Sequence, residues 1–373
     1  MLDSTRNDLL LGVVGTGLMG RGIAQIAAQG GVRVLLHDAR PEAAAEAREA
    51  IAQTLSNLAG KGRISADDAA AATARLGIAD SLDALADCHV VVEAILERLD
   101  AKRELFARLE GIVGDACVLA TNTSSLSVTA IAAGCRVPGR VGGFHFFSPV
   151  PLMKIVEVID GAMTEAWVGD ALTALARRMG HQPVRAQDTP GFIVNHAGRA
   201  FGTEALRILG EGIAGVADID RILREAAGFR MGPFELLDLT GLDVSHPVME
   251  SIYDQYYQEP RYRPSPITRQ RLAAGLLGRK SGRGFYVYRD GKAEVPAEDA
   301  PPPRTDTPVW LSRRNAAAAE RVAALLDRLG APLETGARPS VDALCLVLPL
   351  GEDATAAALA EGLDPARTLA LDP

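Results

Sequence analysis

His145 and Glu157 stand twelve residues apart in HFFSPVPLMKIVEVI. A histidine side chain titrates near about 6.5, so it can take a proton from a hydroxyl at neutral pH. A carboxylate on its far ring nitrogen would fix the tautomer and stabilise the imidazolium that forms. Near the start of the chain, LLLGVVGTGLMGRGIA holds Gly15, Gly17 and Gly20 as GxGxxG, directly after a strand-like run and directly before an alanine-rich helix. That context suits a dinucleotide: a tight turn, close backbone approach to the pyrophosphate, and a helix N-terminus facing the phosphates. Leu18 and Met19 lie within the same cofactor loop. A hydroxyl proton passing to the histidine and a hydride to a nicotinamide together oxidise an alcohol.

Asp38 closes VRVLLHD eighteen residues beyond Gly20. An acid there binds ribose hydroxyls and repels a 2′-phosphate, so NAD is expected over NADP. Arg40 could soften the preference, and the alternative is that Asp38 caps the helix after Pro41. Ser124, at the end of CVLATN in TNTSS, falls where an open α/β sheet places its ligand crevice. For His145 the alternative is a buried histidine bonded to a backbone carbonyl. The preceding GG and the following Pro149 and Pro151 put it in a loop, whereas Lys154, Val156 and Val158 put Glu157 in an alternating strand. Glu97 and Lys102, five apart after VVEAI, are by spacing alone charges near a helix start. His37, His89, His181, His196 and His246 have no matched carboxylate position and read as satisfied or exposed. Neither HExxH nor Cys/His ligand spacing occurs, so no metal is expected.

These residues need elements to hold them. LLLGVV, VRVLL, CHVVVEAI, CVLATN, RVGGFHF and KIVEVI alternate with alanine-rich segments, the pattern of an α/β domain with a largely parallel sheet. Pro41 opens a helix running to about Asn57, and Ser65 with Asp67 and Asp68 starts another. DTPGFIVN after residue 187 breaks the pattern before a helical run from about Phe192 to Glu211. From there to about Leu277 the apolar spacing is helical, and GRGFYVY reads as a short terminal strand. The expected fold is an α/β Rossmann-like NAD-binding domain over 1–188, an all-helical domain over 189–290, a Pro- and acid-rich linker over 291–309, and a partial, degenerate α/β module over 310–373. That module shows two strands, VDALCLVLPL and TLALD, and its turn PLGED lacks the glycines of a nucleotide site.

At 373 residues the chain is too long for one ordinary core. Its hydrophobic fraction of 48% and charged fraction of 23% fit a globular protein. A net charge of −8 without a Lys/Arg run argues against nucleic acid as the main partner, and means an anionic substrate must be met locally. Cys88, Cys117, Cys135 and Cys345 are scattered and read as reduced structural thiols. MLDSTRND lacks a basic n-region, and the apolar stretch after it is too short for a span, so a cytoplasmic protein with no membrane partner is expected.

Over roughly residues 10–290 the chain resembles the 3-hydroxyacyl-CoA dehydrogenases. GTGLMGRGIAQ, VVEAI, TNTSSLS, GFHFFSPVPLMKIVEV, DTPGFIVN, MGPFELLDLTGLD and GRKSGRGFYVY follow in the family's order and spacing. The remainder is similar to longer bacterial members, including those acting on 3-hydroxyadipyl-CoA in phenylacetate breakdown. The resemblance implies an acyl-CoA substrate and NAD, with His145 as catalytic base, Glu157 as its partner, Ser124 on the substrate's 3-oxygen and Asn195 as a nearby amide donor. It places Glu97 and Lys102 near cofactor and substrate. One departure stands out: the family usually has asparagine three residues after the histidine, and this chain has Ser148, a shorter side chain with one donor instead of two. Fatty-acid or aromatic-acid degradation is the implied setting, and a homodimer is implied through a helical stripe that includes Phe201, Leu206, Ile208 and Leu209. Arg199 and Arg230 are candidates for an acidic substrate tail. The rival readings are a non-catalytic NAD-binding structural subunit, or a dehydrogenase of free hydroxy or sugar acids.

Overall fold

The computed structural model describes residues 6–297 and 305–372. The described chain divides between Pro296 and Ala297 into two compact units.

In the first unit β1 (Leu10–Val14), α1 (Leu18–Gln29), β2 (Arg33–His37), α2 (Ala43–Gly60), α3 (Ala66–Ala74), β3 (Leu76–Ile78), β4 (Val90–Glu93), α4 (Leu99–Glu110), β5 (Val118–Thr121), α5 (Val128–Ala132), β6 (Val141–Phe146), β7 (Ile155–Asp160), α6 (Ala166–Arg178) and β8 (Gln182–Gln187) build one layered α/β body. The sheet order is β3-β2-β1-β4-β5-β6-β7-β8. The first six are parallel, in the doubly wound order that opens a ligand crevice where the winding reverses, between β1 and β4. β7 pairs antiparallel with β6, and β8 lies parallel to β7. Strands such as β1 and β5 are buried along their whole length because helices cover both faces, which is why they read as unbroken apolar runs. Separate apolar clusters lie on the two faces, one with Ile23, Leu36, Leu55 and Phe144, the other with Leu85, Phe106, Leu109 and Leu119.

A helical body follows: α7 (Val194–Ala197), α8 (Arg199–Gly210), α9 (Val216–Glu225), α10 (Pro233–Thr240), α11 (Leu242–Gln255) and α12 (Pro266–Ala273), then a hairpin of β9 (Val287–Arg289) and β10 (Lys292–Glu294). Leu206, Ile219, Phe234, Leu242, Met249 and Tyr286 form its core. Asp238 anchors the hairpin approach by accepting the Phe285 and Tyr286 N–H groups, at 2.8 and 2.9 Å.

The second unit is β11 (Val309–Leu311), α13 (Ala316–Arg328), β12 (Leu344–Val347), α14 (Ala354–Glu361) and β13 (Thr368–Ala370), three parallel strands in chain order.

Several expectations are corrected. α2 begins at Ala43 with Glu42 as N-cap, so Pro41 lies outside its first turn. β3 was not anticipated, being three residues long with a glycine at its centre. Gly198 divides the helical run after Phe192 into α7 and α8. The expected linker 291–309 starts as β10 and ends inside β11; its residues 298–304 lie outside the described residues. The last module has three strands, because Val309, Trp310 and Leu311 sit beside β12 and are buried there. Ser65 does cap α3, accepting the Asp68 N–H. The four cysteines are free thiols. Among the described residues no helix is long and apolar enough to cross a membrane.

Candidate active site

After β1 the chain turns at Gly15 with φ 94°, a left-handed value that favours glycine. A Cβ on Gly15 would lie 2.5 Å from the Ala94 oxygen, and one on Gly20 only 1.8 Å from the Gly15 oxygen, so neither position admits a side chain. A Cβ on Gly17 would meet nothing within 4 Å, so that side of the turn is open. α1 starts next without a side-chain cap, leaving first-turn N–H groups for an anion. Leu18 is exposed on this rim, while Met19 packs partly on the core. Asp38 follows β2 and accepts the N–H and hydroxyl of Thr16 at 2.8 and 2.9 Å and the Arg40 N–H at 3.0 Å. It therefore braces the glycine turn instead of capping α2. Burial acts to raise its carboxyl, but the N–H bonds from Thr16 and Arg40 prevail and hold it below the usual carboxylate range. A glycine cradle, free helix N–H groups and an ionised acid beside them fit the pyrophosphate and ribose of NAD.

His145 and Glu157 are register partners on β6 and β7. Directly opposed residues of an antiparallel pair share one face of the sheet, and here the His145 Nδ1–Glu157 Oε2 distance is 2.6 Å. The loop expected around His145 is thus corrected: it sits in β6, with Gly142 and Gly143 inside the strand beneath Leu172, Val168 and Ile159, where a Cβ would crowd those side chains. Both His145, 2% exposed, and Glu157, 0% exposed, are buried. Burial works to raise the Glu157 carboxyl; the hydrogen bond from His145 and the N–H groups of Val194 and Ile193, at 2.9 and 2.8 Å, outweigh it and keep it below the ordinary glutamate value. An ionised Glu157 only accepts, so Nδ1 carries the ring proton and Nε2 is the basic nitrogen. Nε2 lies 3.0 Å from Ser124 Oγ. Both ring nitrogens therefore meet side chains, unlike a histidine bonded to a backbone carbonyl. Asn195 Nδ2 donates to the Ser124 carbonyl at 3.3 Å, so His145, Glu157, Ser124 and Asn195 come together.

Glu97 and Lys102 have more specific places than a charged surface. Glu97 Oε1 accepts the Thr123 hydroxyl and the N–H groups of Ser124 and Ser125, at 2.7, 2.8 and 2.9 Å, and so shapes the loop that presents Ser124. Burial pushes its carboxyl up, while Lys102 and these donors pull it below the usual value. Lys102 is 1% exposed, which overturns a solvated position. Its Nζ lies 2.5 Å from Glu93 and 3.3 Å from Glu97. Glu93 in turn accepts the Thr121 hydroxyl at 2.6 Å and the Ile95 N–H at 2.7 Å.

Sequence reasoning passed over Glu93, Thr121, Asn122 and Asp188. Asn122 accepts the Phe146 N–H at 2.9 Å, tying β5 to the histidine strand. Asp188 accepts Ser127 Oγ, Val128 N and Thr129 N at 2.7, 3.0 and 2.7 Å, seating α5. For Glu93, Asn122 and Asp188 the available signal was an acid or amide at a strand's C-terminal end, whereas the Thr121 hydroxyl carried none. Ser148, two residues beyond the end of β6, is exposed and forms no hydrogen bond within the described residues. Leu206 belongs to the helical core, Ile208 and Leu209 pack against it, and Phe201 lies 4.7 Å from Phe229, so the apolar stripe is used largely within the chain. Among the described residues no group of three His, Cys, Asp or Glu side chains is placed to hold a metal ion.

Residues 10–189 match the model of the 3-hydroxyacyl-CoA dehydrogenase NAD binding domain, and residues 191–288 match that of the 3-hydroxyacyl-CoA dehydrogenase C-terminal domain. The chain is 44% identical over 283 residues to the 3-hydroxyadipyl-CoA dehydrogenase of Escherichia coli, a match spanning 76% of this chain and 60% of that protein. It is 40% identical over 277 residues to a probable 3-hydroxybutyryl-CoA dehydrogenase of Deinococcus radiodurans, covering 74% of this chain and 99% of the relative. A crystal structure of 3-hydroxybutyryl-CoA dehydrogenase from E. coli superposes with a TM-score of 0.77 at 39% identity, over 85% of this chain and 71% of that one. With both domain models matched in order on a doubly wound sheet and the helical body after it, the chain belongs to the 3-hydroxyacyl-CoA dehydrogenase family.

Proposed function

We propose that the protein oxidises an L-3-hydroxyacyl-CoA to the 3-oxoacyl-CoA with NAD. The observation that carries this reading is the Ser124–His145–Glu157 chain, whose basic nitrogen faces a serine hydroxyl at 3.0 Å, with Ser124 following the C-terminal end of β5 as the glycine cradle follows that of β1. Gly15, Gly17 and Gly20, with the first turn of α1, would hold the pyrophosphate, and Asp38 the adenosine ribose. Bound NAD supplies the acceptor for the hydride from C3. His145 Nε2 takes the 3-hydroxyl proton, and Glu157 stabilises the imidazolium through Nδ1. Ser124 Oγ donates to the 3-oxygen as it becomes a carbonyl, and Asn195 steadies the Ser124 loop and lies close enough to contribute an amide donor. Glu97 and Lys102 keep that loop and the β4 end in place beside the cofactor. The reading includes a homodimer and a role in fatty-acid or aromatic-acid degradation.

The test is NADH absorbance during incubation with NAD and L-3-hydroxybutyryl-CoA, with the free 3-hydroxy acid as control. Turnover of the thioester and not the acid is expected, and His145→Gln should lower kcat by about 10² or more while NAD still binds. Equal turnover in that variant would remove His145 from the role.

A further inference from the structure

Ser124 presents its hydroxyl to His145 from a stretch that neither a strand nor a helix holds, between the end of β5 at Thr121 and the start of α5 at Val128. The Thr123 and Leu126 N–H groups bond to the hydroxyls of Thr121 and Thr123 at 3.2 and 3.0 Å. Those of Ser124 and Ser125 bond to Glu97 at 2.8 and 2.9 Å. Among the described residues, none of these four N–H groups bonds to another backbone group. Side chains therefore set where the loop lies.

Its N–H side is held from the α/β body and its carbonyl side from the helical body. Asn195 reaches the Ser124 carbonyl at 3.3 Å, and from α11 Gln255 Nε2 donates to the Ser125 carbonyl at 2.7 Å, joined by the Ser251 hydroxyl at 3.3 Å. Among the described residues the hydrogen bonds that α11 sends into the α/β body both end on this one oxygen. Ser251 and Gln255 are four residues apart and so share a face of the helix. Gln255 Nε2 also lies 2.9 Å from Ser251 Oγ, so each of its two hydrogens has an acceptor, and the nitrogen of the amide is the atom turned to the loop. The Gln255 bond is the shortest that either loop carbonyl receives.

We propose that Gln255 is a positioning residue for the oxidation: by holding the Ser125 carbonyl it keeps the neighbouring Ser124 hydroxyl 3.0 Å from His145 Nε2. This rests on the hydroxyacyl-CoA reading above and adds to it a residue of the helical body. Gln255 acts through Ser125 and Ser124, and its effect falls on the alignment of the serine donor with the reacting oxygen. Misplacing such a group by about 1 Å can cost on the order of 10² in rate.

The experiment compares the wild type with Gln255→Met, which keeps the length of the side chain without its donors, and Gln255→Lys, which keeps a donor. In Gln255→Met, kcat for L-3-hydroxybutyryl-CoA should fall by about tenfold while KM for NAD moves by less than about twofold. Gln255→Lys should recover most of that loss. Hydrogen–deuterium exchange reads the loop directly: the Ser124 and Ser125 amides should exchange about tenfold faster in Gln255→Met, with the amides of β5 and α11 still protected as in the wild type. Unchanged kcat or unchanged loop exchange in Gln255→Met would overturn the proposal. So would an equal loss in Gln255→Lys, or faster exchange spread over β5 and α11, either of which marks general loosening. If the wild type oxidises no hydroxyacyl-CoA, the dehydrogenase reading fails separately, and the exchange measurement still decides whether Gln255 holds the loop.

Discussion

Glu157 is the residue on which the candidate centre turns, because it fixes which nitrogen of His145 is basic. Glu157→Gln keeps the shape, but an amide can present its N–H to Nδ1 and impose the other tautomer. Turnover should fall by roughly 10²–10⁴ with little change in NAD affinity, measured by single-turnover NADH formation. The same side chain carries a stability signature. Its folded carboxyl lies below the usual 4.5, so its contribution is complete above about pH 4.5 and is lost as the pH falls through the folded value. The unfolding free-energy gap between wild type and Glu157→Gln should therefore narrow below about pH 4.5; a gap constant down to pH 3 would contradict it. The histidine and glutamate could be picked out by type and spacing. Lys102 could not, because its distinction is burial between Glu93 and Glu97, and a lysine near a helix start looks the same in sequence whether solvated or enclosed.

At the scale of elements, the β1–α1 turn and the β6–β7 pair do the positioning. Gly20 packs directly on the Gly15 carbonyl, so Gly20→Ala must force the turn apart. NADH affinity, read by fluorescence titration, should weaken by about tenfold or more while the far-ultraviolet spectrum stays that of a folded chain. Glu110, at the end of α4, accepts the Arg136 and Val137 N–H groups at 2.7 and 2.8 Å and so fixes the approach to β6. Burial raises its carboxyl, but those N–H bonds and the arginine charges hold it low. Glu110→Gln should cost about 1.5–3 kcal/mol at pH 7, shrinking below about pH 4.5, as denaturant melts across pH would show. The apolar runs of β1, β2, β4 and β5 were readable because buried parallel strands are apolar on both faces. The antiparallel course of β7 was not, since a strand's residues do not record its direction. β3 escaped notice because three residues carry no period.

For the whole molecule, the two tryptophans fall one in each compact unit, Trp167 in the first and Trp310 in the second. Trp310→Phe and Trp167→Phe variants therefore report on each unit separately. The second unit, with three short strands, should unfold at lower denaturant than the first, and added NADH should raise only the midpoint reported by Trp167. Coincident midpoints moving together with NADH would show a single cooperative unit. The matched family domains end at residue 288, so the β11–β13 unit lies outside them. What the sequence alone determined is what contiguous residues can express: the glycine cradle, the acid after β2, the strand–helix alternation, the helical second body, and a histidine and carboxylate of the right types. Tertiary structure decided which of these meet. The register of β6 on β7 brings His145 to Glu157, and the parallel pairing of β4 with β5 sets Glu93 beside Thr121, where it meets the buried Lys102 ammonium. Those meetings depend on burial and on pairings between distant segments, which exist only once the chain has packed.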